Sequence, residues 1–115
     1  MAFDVITPAK LGQGAIGATV STFYTVPANT RTFVKNIDIC NTTTGNINVT
    51  VYLVPSGDSA ADANSLLSSI RVIGTAAQGG LVQWEGSQIL NEGDTIQAVG
   101  GVVGLTINIS GGEAT

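Results

Sequence analysis

Apolar and polar residues alternate along residues 46–54, and the turn-forming sequence PSG at 55–57 ends the run. Successive side chains of a strand point to opposite faces, so a period of two predicts a strand with one buried and one wetted face. The residues on the predicted buried face are Ile47, Val49, Val51 and Leu53.

The same alternation returns near the C-terminus, where polar residues separate three apolar ones within residues 105–110. The predicted buried residues of this strand are Leu105, Ile107 and Ile109. Gly111 and Gly112 are predicted to end it, because glycine weakens a strand interior.

Shorter patterns of the same kind predict further strands, separated by turn residues. Their ranges are 18–26, 31–40, 66–73, 81–85 and 95–99. We expect residues 31–54 to form one antiparallel hairpin. Lys35 interrupts the face shared by Phe33, Ile37 and Ile39, which indicates either an inward or edge-placed lysine or a bulge. About seven or eight short strands predict an all-β fold, a single antiparallel β-sandwich that is jelly-roll-like.

The first residues lack a regular pattern, because Pro8 and three glycines interrupt their apolar residues. We therefore predict an N-terminal arm at residues 1–17 and the β-sandwich domain at residues 18–115. Phe3, Val5 and Ile6 are the apolar residues with which this arm would contact a neighbouring subunit.

Composition narrows the functional classes. The chain has 115 residues, of which 43% are hydrophobic and 10% charged, so it is expected to fold as one domain. Its net charge is −4, and its four basic residues are scattered, so nucleic-acid binding is not expected. No apolar run approaches the roughly 20 residues that span a bilayer. The first eight residues resemble no secretion signal, which predicts synthesis in the cytoplasm.

The sequence contains no candidate catalytic constellation. Histidine is absent, and Cys40 is the single cysteine, so the usual general base, metal ligand and nucleophile pairs are missing. We expect no enzymatic activity, no cofactor and no bound metal. Cys40 is predicted to be a small buried apolar side chain.

Three groups of residues are candidate binding sites. Asp58, Asp62 and Asn64 lack the spacing of a calcium loop and are interpreted as a solvated loop. Glu92 and Asp94 flank a glycine, as expected of a turn. Trp84 with Glu85 and Gln88 fits a sugar-stacking patch, although a lone tryptophan in a β-rich chain more often packs in a core or interface.

Five segments resemble small β-sandwich virion proteins of tailed bacteriophages. They are FYTVPANT at 23–30, VKNIDICN at 34–41, VYLVPSG at 51–57, LNEGDTIQA at 90–98 and LTINISG at 105–111. The resemblance covers most of the chain from residue 22 onward.

The resemblance implies a non-enzymatic capsid decoration (cement) protein. Its location would be the capsid exterior of the virion, its partner the major capsid protein, and its state a homo-oligomer, commonly a trimer. Related domains also occur in tails, necks and fibres, where contact with a host glycan is the alternative role. The candidate interface residues on this view are Phe3, Val5, Ile6 and Trp84.

Overall fold

The computed structural model describes residues 5–74 and 80–115, which form eight strands and a single 3₁₀ turn, Asp62–Asn64. The strands are β1 (Ile6–Ile16), β2 (Ser21–Thr25), β3 (Arg31–Asn41), β4 (Ile47–Val54), β5 (Ser65–Val72), β6 (Leu81–Leu90), β7 (Thr95–Gly100) and β8 (Leu105–Ala114). Within the described ranges, no helix has the length and apolar character needed to cross a membrane.

The strands form two four-stranded antiparallel sheets, which we call the first sheet (β1-β8-β3-β6) and the second sheet (β2-β7-β4-β5). The chain changes sheet at every connection except the one between β4 and β5. This strand order is that of a jelly roll. The predicted all-β sandwich is therefore confirmed.

The predicted hairpin over residues 31–54 is wrong, because β3 and β4 belong to different sheets. Alternation identifies a strand and its buried face, but both strands keep that pattern whichever neighbour they pair with. The polar loop at 42–46 carries the chain from one sheet to the other.

The core between the sheets contains the aliphatic residues that alternation predicts. Six of the seven are buried: Ile47, Val49, Val51, Leu105, Ile107 and Ile109. Leu53 packs against this core but stays partly exposed, and its neighbour Val54 is buried instead. Within these two strands, alternation thus fails only at the end of β4.

The prediction that no regular element precedes residue 18 is wrong, since β1 pairs with β8 along its length. Pro8 is tolerated because β1 is an edge strand. Gly12 allows a close approach of the two sheets, as a Cβ there would lie 2.8 Å from the backbone oxygen of Phe23. Phe3 lies outside the described residues, whereas Val5 and Ile6 are exposed.

Strand β8 also differs from prediction, because it continues through Gly111 and Gly112 to Ala114. A Cβ on Gly111 would lie 1.9 Å from the backbone oxygen of Phe33. Glycine at this position is therefore required by the approach of β3 and does not mark the end of the strand.

Asn41 fixes the connection between β3 and β4. Its side chain is buried and donates hydrogen bonds to the backbone oxygens of Gly45 (2.7 Å) and Val72 (2.9 Å). Its Oδ1 accepts hydrogen bonds from the backbone nitrogen (2.9 Å) and the hydroxyl (2.7 Å) of Thr43. One amide therefore joins the end of β3, the following loop and the end of β5.

Replacing Asn41 by alanine should lower the free energy of unfolding by about 3 kcal/mol, because it leaves buried backbone groups without partners. Denaturant titration measures this loss. Asn48→Ala, at an exposed position of β4, is the control and should change stability by less than about 0.5 kcal/mol. Equal effects of the two variants would contradict the anchoring role of Asn41.

Candidate binding surface

The outer face of the first sheet, called the outer face below, presents four rows of side chains across its strands. Ile37 and Ile109, which alternate with these rows, are buried in the core, so the rows point outward. In the order β1, β8, β3, β6, the first row is Pro8, Gly112, Phe33 and Ile89, and the second is Lys10, Ser110, Asn36 and Glu85. The third row is Gln13, Asn108, Asp38 and Gln83, and the fourth is Ala15, Thr106, Cys40 and Leu81.

The outer face is banded. Its first and fourth rows are mainly apolar, and they expose 56% of Ile89 and 60% of Leu81. The two rows between them are entirely polar and carry one positive and two negative side chains: Lys10, Glu85 and Asp38. A uniformly solvated sheet face would be polar throughout, so the two apolar bands are the part of this face suited to contact with another protein.

Two acceptors in the polar band have no hydrogen-bond partner. Asn36 donates through Nδ2 to Asp38 Oδ2 (2.9 Å), and Lys10 Nζ donates to Gln13 Oε1 (2.9 Å). The Oδ1 atoms of Asn36 and Asp38 are buried and unpaired. Because buried polar atoms normally have partners, these two atoms mark the band as the unsatisfied part of the sheet.

An apolar groove of about 440 Å³ runs along the first row. Its lining residues are Ile6, Pro8, Phe33, Lys35, Ser87, Gly111 and Gly112. The two glycines leave its floor without side chains, and Lys35 Nζ reaches Ser87 Oγ at 3.3 Å. The groove is thus a shallow depression between apolar walls, with a cation at its rim.

The bulge between Val34 and Asn36 explains why Phe33 faces outward while Ile37 and Ile39 face the core. The prediction of one shared face for these three residues is wrong. Of the two explanations for Lys35, the bulge is present, whereas Lys35 is exposed on a central strand and is neither inward nor at an edge. The prediction for Cys40 is also wrong. It is exposed in the fourth row, since its neighbour Ile39 occupies the inward position.

Trp84 lies on the inner side of the first sheet, paired with Ile37 and packed against the core cluster. A Cβ on Gly86 would lie 2.9 Å from the indole ring, so glycine there makes room for it. Glu85 belongs to the opposite face. The two residues therefore do not form the sugar-stacking patch that the sequence suggested.

Two of the polar residues in the candidate loops, Asn64 and Asp94, hold turns. Asn64 Oδ1 accepts a hydrogen bond from the Ala61 backbone nitrogen (3.1 Å) within the 3₁₀ turn. Asp94 accepts from the backbone nitrogens of Ser56 and Asn91, each at 2.9 Å. Among the residues the structure describes, no group of three or more potential ligands is arranged for a metal ion.

Tyr24 links the two sheets near the chain termini. Its hydroxyl donates to Glu113 Oε2 (2.5 Å) and bonds to the Thr32 hydroxyl (2.7 Å). Tyr24 belongs to the second sheet, and both partners belong to the first. Burial of the phenol, and then its hydrogen bond to Glu113, raise the pKa of Tyr24 to about 12.

The raised pKa predicts loss of stability at high pH. The folded state holds the Tyr24 proton more tightly than the unfolded chain, whose phenol has a pKa of about 10. This contribution is complete below about pH 10 and is lost as the pH rises towards 12. In a Tyr52→Phe background, absorbance titration reports on Tyr24 alone and should show a midpoint near 12, moving to about 10 in denaturant. A midpoint near 10 in the folded protein would contradict the link to Glu113.

A second apolar surface, called the loop end below, lies at the other end of the sandwich. It contains Val102 and Val103, which are 56% and 70% exposed, together with exposed Val20. A hydrogen bond from the Gly100 nitrogen to the Gly17 oxygen (2.9 Å) holds the two loops of this end together. A mainly polar depression of about 480 Å³, whose lining includes Gly101, Val102 and Arg71, adjoins the loop end.

Comparisons with known proteins found no matching family model and no matching curated protein. A chain in the structure of infectious bursal disease virus, Gt strain, aligns at 12% sequence identity and a TM-score of 0.33. The alignment covers 96% of this chain and 31% of that chain, so this chain spans about a third of its length. The jelly-roll assignment rests on the strand order alone.

Proposed function

We propose that this chain is a structural protein of a tailed-bacteriophage virion, which decorates the outside of the capsid and stabilises the shell. The observation that carries the proposal is a jelly roll that exposes apolar side chains at two separate places, the outer face and the loop end. Jelly rolls recur in viral capsid proteins and in lectins. The sequence segments that resemble phage virion proteins favour the first of these uses.

The charge of the chain supports an exterior position. Four basic residues are outnumbered by eight acidic ones, and the basic residues are scattered along the sequence. A protein that contacts packaged DNA needs clustered lysine and arginine to neutralise phosphates. An acidic decoration protein outside the shell needs no such cluster.

Stabilisation follows from mass action. A protein that binds the assembled lattice but not free subunits shifts the equilibrium away from disassembly. The partners in this role are the major capsid protein and further copies of the chain, and the resemblance favours a trimer. The chain needs no catalytic group for this role, in agreement with the absence of histidine from its sequence.

Adding the purified protein to virions that lack its gene tests the proposal. Virions of the parent phage that lack the gene should lose DNA at a lower temperature, and purified protein should bind their heads and restore heat resistance. Co-sedimentation and DNA release on heating measure the two effects. Failure to bind heads, with the protein recovered on tails from wild-type particles, would overturn the proposal in favour of a tail, neck or fibre role.

A further inference from the structure

When two copies of the outer face meet so that each row lies over the same row in reversed order, the facing side chains are complementary. A two-fold axis that runs parallel to the strands between β8 and β3 keeps every row at its level and reverses its order. Strand β1 of one copy then lies over β6 of the other, and β8 lies over β3. From this geometry we propose that the outer face binds the outer face of a second copy, which goes beyond the capsid contact proposed above.

The first row supplies shape complementarity. Reversal places Phe33 of each copy over Gly112 of the other, at the floor of the apolar groove. It also places Pro8 over Ile89, which is largely exposed in the single chain. An aromatic ring that enters a depression floored by glycine is a typical anchor of a protein interface.

The polar rows supply charge complementarity. In the second row, Lys10 of each copy faces Glu85 of the other, which gives two ion pairs across the interface. In the third row, Asp38 faces Asn108. No like charges face each other in any of the four rows.

The pairing also brings donors to the unsatisfied side chains. Ser110 lies opposite Asn36, and Asn108 lies opposite Asp38, so a hydroxyl and an amide of the second copy adjoin the two residues whose Oδ1 atoms are unpaired. Small rotations of these side chains towards the second copy would complete their hydrogen bonds. The Oδ1 atoms of Asn36 and Asp38 thus gain hydrogen-bond partners from the second copy in the same two-fold arrangement.

A second symmetric arrangement loses these matches. An axis perpendicular to the strands, between the second and third rows, places Lys10 over Gln13 and Glu85 over Gln83. It also places Phe33 over Cys40 in place of the glycine floor. Of these two axes, only the one parallel to the strands joins opposite charges and fits the ring to the groove.

The area of the face sets the expected affinity. Four strands about 4.8 Å apart and four rows about 6.8 Å apart cover roughly 500 Å² per copy and about 1,000 Å² in total. This is near the lower limit of specific interfaces, so the pair should be reversible and depend on concentration.

Charge reversal of the full chain tests the inference. Sedimentation equilibrium of the wild type should show a monomer–dimer equilibrium. Lys10→Glu and Glu85→Lys should each raise the dissociation constant at least about tenfold, because each sets like charges opposite one another. The double variant should recover to within about threefold of the wild type, since both ion pairs re-form with reversed sign.

Recovery of the dissociation constant by the double variant would report on contacts between two copies and not on a contact within one chain. Lys10 and Glu85 lie on the two edge strands of the first sheet, about 14 Å apart at the spacing of neighbouring strands, so they do not pair within a chain. Arg71→Glu makes the same charge change on the outer face of the second sheet and should leave the dissociation constant unchanged. Circular dichroism of each variant checks that the fold is retained.

A purely monomeric or trimeric wild type, or failure of the double variant to recover, would overturn the inference. Capsid binding of the same variants is measured separately. Loss of capsid binding by the single variants with self-association unchanged would assign the outer face to the capsid. That result would end the two-fold pairing and leave the proposed function intact.

Discussion

Val51→Asp is expected to abolish folding. Val51 is fully buried in the core, where its strand neighbours include Ala98 of β7. A carboxylate at this position would lie among aliphatic side chains without a partner, and such burial costs more than the few kcal/mol by which a domain of this size is stable. Circular dichroism and thermal unfolding measure the outcome.

Asn48→Asp is the matched control for this variant. It places the same carboxylate three residues earlier in β4, on the outer face of the second sheet opposite Arg71. We expect it to melt within a few degrees of the wild type. Cooperative melting of Val51→Asp at the temperature of this control would show that β4 does not face the core as described.

Gly111→Ala should lower the free energy of unfolding by about 3 kcal/mol or more, because the added methyl group meets backbone that cannot move aside. The ideal Cβ position is 1.9 Å from the Phe33 backbone oxygen, so β3 and β8 would have to separate. Gly112→Ala is the control. Its nearest contact is 3.3 Å from a side-chain atom of Ile6, which can yield. Denaturant titration compares the two.

The control variant Gly112→Ala also tests the proposed self-association. Gly112→Ala narrows the groove that Phe33 of a second copy would occupy, so it should weaken self-association while the fold stays stable. Comparable stability losses in the two glycine variants would contradict the close approach of β3 to Gly111.

Hydrophobic periodicity predicted which residues form strands better than it predicted which strands pair with one another. Alternation at Ile47, Val49 and Val51 identifies a buried face, because burial is a property of each strand. It does not identify the partner strand, and this is why the predicted hairpin of β3 and β4 was wrong. Strand β1 was not predicted because proline and glycine usually interrupt a strand. Here Pro8 is tolerated in an edge strand, and Gly12 allows the two sheets to approach closely.

The outer face was not predictable from the sequence for a similar reason. Asn36, Asp38, Asn108 and Ser110 alternate with core residues, so the sequence does indicate that they point outward. Their assembly into rows depends on the bulges in β1 and β3, which set the register with β8. The same bulge in β3 brings Phe33 to the outer face, and no local sequence pattern predicts the position of this bulge.

Pairing across the outer face is compatible with a place on the capsid. It would cover the bands around Phe33 and Leu81 and leave the loop end, with Val102 and Val103, accessible to the shell. A trimer, which the resemblance implies, would use a different surface and would form on the shell, because the two-fold pairing predicts only monomers and dimers of the free chain. The oligomeric state in solution therefore bears on which surface meets the capsid.

A cryo-EM reconstruction of the parent virion tests the central claim most directly. The account predicts a regular lattice of protrusions on the outside of the head into which this jelly roll fits, and which disappears when the gene is deleted. Density for the chain confined to the tail, the neck or the fibres, with a bare head surface in the wild type, would contradict it.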